Sequence, residues 1–194
     1  MKEKKSLRTT RTEKQHMCKA IMGEAHMVEI LQATVADAPE ILALQKLAYL
    51  SEAELYKDFT IPPLTQTIEE LIADFVRKTF LKAFEDGCII GSVNGFRKAG
   101  RCLIGRLMVH PDFQGRGIGS RLMQAIEARF DDAESWDLFT GELSVKNIRL
   151  YEQLGYRVIR KEPFPGIRFS VVFMRKMNKA SPGNDDSSVR EGSE

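Results

Sequence analysis

The stretch LMVHPDFQGRGIGSRLMQAIEARF, Leu107–Phe130, places a strand, a glycine-rich turn and an amphipathic helix in direct succession. Pro111 stops the strand and holds His110 extended, because the proline ring disfavours helical backbone in the residue before it. The helix is expected from about Gly117 to Phe130, with Ile118, Leu122, Met123 and Ile126 on its apolar side. Its first amides have no partner within the helix, and the helix dipole puts partial positive charge there. Gly115, Gly117 and Gly119 allow positive φ and let an anion approach the backbone, so the turn reads as a phosphate or pyrophosphate site. Arg116 adds a charge able to reach the same group.

The kind of phosphate ligand follows from what the turn lacks. A Walker A loop needs G-x-x-x-x-G-K-S/T, and no lysine stands in that place. The dinucleotide fingerprint needs G-x-G-x-x-G in a parallel βαβ unit, whereas this chain has G-x-G-x-G preceded by hairpins. The hairpins are read from Phe80–Glu85, an Asp86-Gly87 turn of type I′ and Cys88–Phe96, then a turn at Lys98-Ala99-Gly100 into Arg101–His110.

Further upstream, a short strand covers about Val28–Ala33. A helix begins at Asp37, with Pro39 in its first turn and Glu40 at capping-box spacing. Ser51–Thr65 reads as a loop broken by Pro62-Pro63. Thr67 and Glu70 cap a second helix carrying Ile68, Leu71, Ile72, Phe75 and Val76. Downstream come a strand at Leu138–Leu143, a helix at Val145–Leu154 closed by Gly155, and strands at Tyr156–Lys161 and Arg168–Met177. The order is β-α-α-β-β-β-α-β-α-β-β. One α/β domain is expected over residues 27–180, between a disordered leader (1–26) and a disordered tail (181–194).

The 194 residues suit one domain with a sizeable core. Seven Lys/Arg against three acids make the first 26 residues basic, and four acids against Arg190 make the last 14 acidic; the body between is near neutral. A neutral body gives no case for a nucleic-acid face. No apolar run approaches the roughly 18–20 residues of a membrane span, and no secretory signal is visible, so the default location is the cytoplasm. Cys18, Cys88 and Cys102 show no C-x-x-C spacing, and no residue set suggests a metal site. Cys88 and Cys102 fall out of register across the hairpin, with Cys102 opposite about Phe96, so no disulfide is expected between them; both read as small buried hydrophobes.

The run LMVHPDFQGRGIGSRLMQAI resembles the acetyl-CoA motif of the GNAT N-acetyltransferases, Gln/Arg-x-x-Gly-x-Gly/Ala. Asn147-Ile148-Arg149-Leu150-Tyr151-Glu152-Gln153-Leu154-Gly155-Tyr156 resembles the family's second signature, an Asn, then a Tyr, then Leu-Gly-Tyr/Phe. The two stand in the family's order and usual separation, and the resemblance covers roughly Val28–Lys176. It implies the GNAT fold, a mixed and mostly antiparallel sheet of six or seven strands with helices on both faces, splayed at the cofactor slot. It implies acetyl-CoA as co-substrate and an amine as acceptor, with no metal.

By the same resemblance, the backbone amides of Gln114, Gly115, Arg116, Gly117, Ile118 and Gly119 hold the CoA pyrophosphate. Main chain at Leu107, Met108 and Val109 pairs with the pantetheine arm. Tyr151 matches the general acid that protonates the departing thiolate; it also reads as an aromatic on the inner face of a short helix. Asn147 either bonds the pantetheine or is simple first-turn polarity. For the base, Glu142 at the end of a strand facing the slot is the first choice, beside its reading as a solvated charge. His110 has a suitable intrinsic pKa but sits on the cofactor side, and a water relay needs no base. Glu54 and Tyr56 lie on the acceptor side. Glu52, Glu54 and Asp58 hint at a cationic acceptor, or at a solvated loop. Phe164 lines the acceptor mouth or makes a homodimer contact. The rival from another class is a non-catalytic acyl-CoA-binding module with the same fold, and a more distant one is an ATP or NAD binder.

Overall fold

The computed structural model describes residues 27–165 and 168–179. The expectations for residues 1–26, Cys18 and the segment from Ser181 fall outside them. One seven-stranded sheet runs through the described chain in the order β1-β2-β3-β4-β5-β7-β6. Its strands are β1 (Glu29–Gln32), β2 (Thr79–Glu85), β3 (Cys88–Lys98), β4 (Arg101–Val109), β5 (Ser135–Gly141), β6 (Arg157–Pro163) and β7 (Ser170–Met177). The helices are α1 (Ala38–Ala48), α2 (Leu50–Tyr56), α3 (Pro62–Thr65), α4 (Ile68–Arg77), α5 (Ile118–Arg129) and α6 (Val145–Gln153). All strand pairs are antiparallel except β4 with β5. No helix among the described residues is long and apolar enough to cross a membrane.

A core lies on each face of the sheet. On one face α1 and α4 bury Ile41, Leu44 and Leu71 against Phe80, Ile89 and Met108. On the other, α5 buries Ile118, Leu122, Met123 and Ile126, as its spacing requires, with Tyr151 and Tyr156 beside them. Two glycines in β3 let α5 approach closely. A Cβ on Gly91 would stand 3.0 Å from Leu122 Cδ1, and one on Gly95 3.1 Å from Ile126 Cγ1.

Both hairpin turns take the backbone that two-residue type I′ turns need, with positive φ at Asp86 (50°) and Gly87 (80°), and at Ala99 (49°) and Gly100 (77°). The second turn is therefore two residues, not three. Lys98 pairs with Arg101 and Cys102 faces Arg97 instead of Phe96. Cys102 is buried and free, and burial pushes its thiol up to about 12. Cys88 is only half-buried, which corrects its reading as a small buried hydrophobe.

Three boundaries move. The capping box expected at Asp37 and Glu40 sits one turn earlier, where Asp37 Oδ2 accepts from the Thr34 amide at 2.8 Å. Asp37 also pairs with Lys82, and Glu40 accepts from the Ile89 amide. Ser51–Thr65 holds two short helices instead of a loop. The strand expected at Leu138–Leu143 ends at Gly141. The Thr67–Glu70 box is present as expected, with the Glu70 amide donating to Thr67 Oγ1 at 3.2 Å and the Thr67 amide to Glu70 Oε2 at 2.9 Å. Thr67→Ala should lower stability by about 1 kcal/mol in urea unfolding; an unchanged midpoint would show that the box contributes nothing to α4.

Candidate active site

Two strands that begin as neighbours and then part make the site. The parallel pairing of β4 and β5 extends over only Cys102↔Trp136 and Leu103↔Asp137. Just beyond, β4 bulges: Ser92 pairs with Met108 and Asn94 with Gly105, so Arg106 and Leu107 together oppose Val93, and Arg106 takes a φ of 52°. A bulge bends its strand and increases local twist. Here it turns the end of β4 away from β5 and opens a groove of about 1450 Å³ between them. That exceeds the roughly 300–1,000 Å³ of a single small-molecule pocket.

The glycine turn and the start of α5 form one end of the groove. Gly115 and Gly117 have φ of 79° and 75°, and a Cβ on either would meet nothing within 4 Å. The open backbone therefore faces free space at the amino end of a twelve-residue helix. Gln114, Gly115, Gly117, Ile118 and Gly119 all line the groove. Gln114 Nε2 donates back to the Val109 carbonyl at 3.2 Å, tying the turn to β4. The Arg116 side chain goes elsewhere. It forks onto Glu85 at 2.6 and 2.9 Å, with its guanidinium 5.3 Å from the Phe113 ring centroid, and it does not line the groove. This corrects the expectation that its charge reaches the anion; only its backbone remains at the turn. His110 likewise turns its Nδ1 to the Asp112 amide at 3.3 Å and caps the turn Pro111–Phe113.

Helix α6 forms the wall opposite β4. Its Leu154-Gly155-Tyr156 ending is a cap and an anchor. Gly155 takes a φ of 94°, the Tyr156 amide donates to the Tyr151 carbonyl at 3.0 Å, and the Tyr156 hydroxyl donates to Glu127 on α5 at 2.8 Å. Glu127 in turn accepts from Lys176 at 2.6 Å. This network fixes Tyr151, which is 7% exposed and lines the groove. Burial first, then Tyr49 and the Glu52 carboxylate, push its phenol above the ordinary tyrosine range.

The acceptor-side residues divide sharply. Glu142 lies past the end of β5, outside the groove lining, and is paired with Lys161, whose hydrogen bond holds its carboxyl below the usual range. It is not in the place expected for a base. Glu54 is exposed, and Asp58 is folded onto Thr60, whose amide and hydroxyl donate to it at 2.8 and 2.6 Å. Glu52 faces the groove. Its Oε1 accepts from Asn147 Nδ2 at 3.0 Å, and its Oε2 from Ser144 Oγ at 2.5 Å. Tyr56 sits behind, its hydroxyl accepting from the Leu143 amide at 2.6 Å and lying 3.4 Å from Ser144 Oγ, its ring stacked on Phe169 at 3.5 Å. Phe164 stacks on Phe139 at 4.7 Å, and both line the groove. Among the described residues no group of three or more His, Cys, Asp or Glu is arranged to hold a metal ion.

Residues 44–156 match the acetyltransferase (GNAT) family. The chain is 34% identical over 132 residues to the UPF0157 protein YqkA of Bacillus subtilis (strain 168), covering 68% of this chain and 38% of that protein's length. Among solved structures it resembles the ribosomal-protein-S18-alanine N-acetyltransferase of Escherichia coli, with a TM-score of 0.67, 15% identity and coverage of 82% of this chain and 98% of that one. It also resembles the PaiA N-acetyltransferase of Thermoplasma acidophilum, solved in complex with coenzyme A, with a TM-score of 0.65, 17% identity and coverage of 78% and 99%. A family match over more than half of the chain, on a sheet that splays between β4 and β5, leads to one assignment: the chain belongs to the GNAT family of acetyltransferases.

Proposed function

We propose that the chain transfers the acetyl group of acetyl-CoA to a primary amine held in the same groove. The observation that carries this reading is the splay itself, a slot whose one wall is unpaired β4 main chain and whose end is the open amide turn before α5. The residues fit the co-substrate. The Gln114 amide is turned back to the Pro111 carbonyl at 3.3 Å, and the amides from Gly115 to Gly119 offer donors and helix-dipole charge to a pyrophosphate, with no side chain over Gly115 or Gly117. Past Leu103, the β4 main chain at Leu107, Met108 and Val109 offers a strand edge to an extended arm. A structure of a likeness carrying coenzyme A supports the same ligand here.

Bound acetyl-CoA supplies an activated acyl group as a thioester. Tyr151 stands on the groove wall with its proton retained by burial, as required of a group that hands that proton to a departing thiolate. Asn147 gives one amide N–H to Glu52 and thereby joins the two sides of the site.

A thermal-shift titration tests the reading. Acetyl-CoA or CoA at 100 times its dissociation constant should stabilise the fold by about 2.7 kcal/mol, with no shift from ATP or NADH, and CoA release should appear when primary amines are added. No shift with acetyl-CoA would remove the reading of the glycine turn and the assignment of Tyr151 with it.

A further inference from the structure

An alkyl amine is an ammonium ion at neutral pH and must lose a proton before its nitrogen attacks a thioester. Among the described residues the groove is lined by two carboxylates, Glu52 and Asp137. Asp137 lies where β4 and β5 are still paired. It is held by Arg175 at 2.7 and 2.8 Å, by Arg101 at 3.1 Å and by Ser135 at 3.0 Å. Three of these donors are guanidinium N–H groups that stay charged at any working pH, and the fourth is the Ser135 hydroxyl.

Glu52 differs in each respect. It lies on α2 facing Tyr151 and Tyr49, and its charge acts on both phenols. Its two hydrogen-bond partners, Ser144 Oγ and Asn147 Nδ2, are neutral, one on each carboxylate oxygen. An ionised carboxylate has about four lone-pair positions, so further acceptor capacity remains toward the groove. Arg106 on β4 also lines the groove, and its guanidinium is engaged with the Tyr49 hydroxyl.

We propose that Glu52 is the base of the reaction, taking the proton of the acceptor ammonium, with Ser144, Asn147 and Tyr56 as its positioning residues. This rests on the transfer reading above. An N–H bond of the ammonium breaks as an O–H bond forms on Glu52, which later yields its proton to solvent. The freed nitrogen lone pair forms the N–C bond as the C–S bond breaks. The sulfur takes the Tyr151 proton, and the second proton shed by the new amide nitrogen restores the phenol. The net change is one amide, one thiol and one released proton. Tyr56 holds Ser144 from behind. Its hydroxyl takes the Leu143 amide and lies within reach of Ser144 Oγ, leaving the serine proton for Glu52.

The test compares the full chain with Glu52→Gln at saturating acetyl-CoA. The probes are a panel of alkyl amines (lysine, spermidine, phenethylamine) and methoxyamine, which is already neutral at pH 7. Glutamine keeps the size and one acceptor oxygen, so the variant should fold and keep the acetyl-CoA thermal shift. On an alkyl amine kcat should fall by about 100-fold and recover as pH rises and free amine accumulates, while the rate on methoxyamine changes less than about threefold. Ser144→Ala should show a smaller loss of the same kind. Equal rates for Glu52→Gln and the unaltered chain overturn the proposal, as does an equal loss on alkyl amine and methoxyamine, which marks a structural role. An unaltered chain that binds acetyl-CoA but acetylates no amine overturns both this proposal and the acceptor class; one that does not bind it overturns the cofactor reading first.

Discussion

Tyr151→Phe is expected to lower kcat by about 10²- to 10⁴-fold, the range for losing a positioned acid, while leaving the acetyl-CoA thermal shift nearly unchanged. Phenylalanine fills the same volume among Leu150, Tyr156 and the α5 face, so the fold keeps its packing and only the hydroxyl is lost. The sign of the pH effect follows from the direction of the shift. Burial and the nearby Glu52 carboxylate raise the Tyr151 pKa, so the phenol keeps its proton through neutral pH, and kcat should show no decline from its ionisation up to about pH 10. A steady-state profile with acceptor and acetyl-CoA saturating checks both points. A Phe variant within threefold of the unaltered chain would remove Tyr151 as the acid. A chain that binds acetyl-CoA but turns over no amine would favour the non-catalytic module.

Much of the fold was legible because its decisive segments obey strong local rules. Asp86-Gly87 at a type I′ turn, the helical spacing of Ile118, Leu122, Met123 and Ile126, and the Thr67–Glu70 box each specify their geometry over a few residues. The misses lie where local signals conflict. Ser51–Tyr56 holds good helix formers in Glu52, Ala53, Glu54 and Leu55, yet Pro62-Pro63 nearby suggested a loop across the whole stretch. That reading hid the consequence of helical spacing, since Glu52 and Tyr56 lie four apart on one face of α2 and both reach Ser144.

The site divides in the same way. A backbone-built anion turn is visible in sequence because glycines and a helix start define it. Side-chain roles are not, because each depends on a long-range competitor. Arg116 is drawn to Glu85, 31 residues before it, and Glu142 to Lys161 on β6. An isolated arginine or glutamate in sequence carries no sign of such a partner. The splay was implied by family resemblance, and its physical cause, the bulge at Arg106, has a single local sign in sequence, Gly105 just before it inside the strand pattern.

Gly141→Ala is expected to be the most damaging single-methyl change in the groove. Gly141 ends β5, and a Cβ there would stand 2.3 Å from the Tyr56 hydroxyl oxygen and 2.6 Å from Cζ. Tyr56 cannot yield freely. Its ring is stacked on Phe169 with an interplanar angle of 13°, and its hydroxyl holds the Leu143 amide. Overpacking of this kind costs about 1–3 kcal/mol, measurable as a lower urea midpoint at unchanged slope. Because Tyr56 backs Ser144, and Ser144 donates to Glu52, the same methyl should also reduce turnover of an alkyl amine toward the Glu52→Gln level, with acetyl-CoA binding at the distant glycine turn intact. A double-mutant cycle separates the collision from any general weakening of β5. In a Tyr56→Ala background the added methyl meets no ring, so the stability cost of Gly141→Ala should drop by at least about 1 kcal/mol, a coupling within the range for residues in contact. Additive costs would show that the methyl acts on the strand and not through Tyr56, and would detach Gly141 from the support of Glu52.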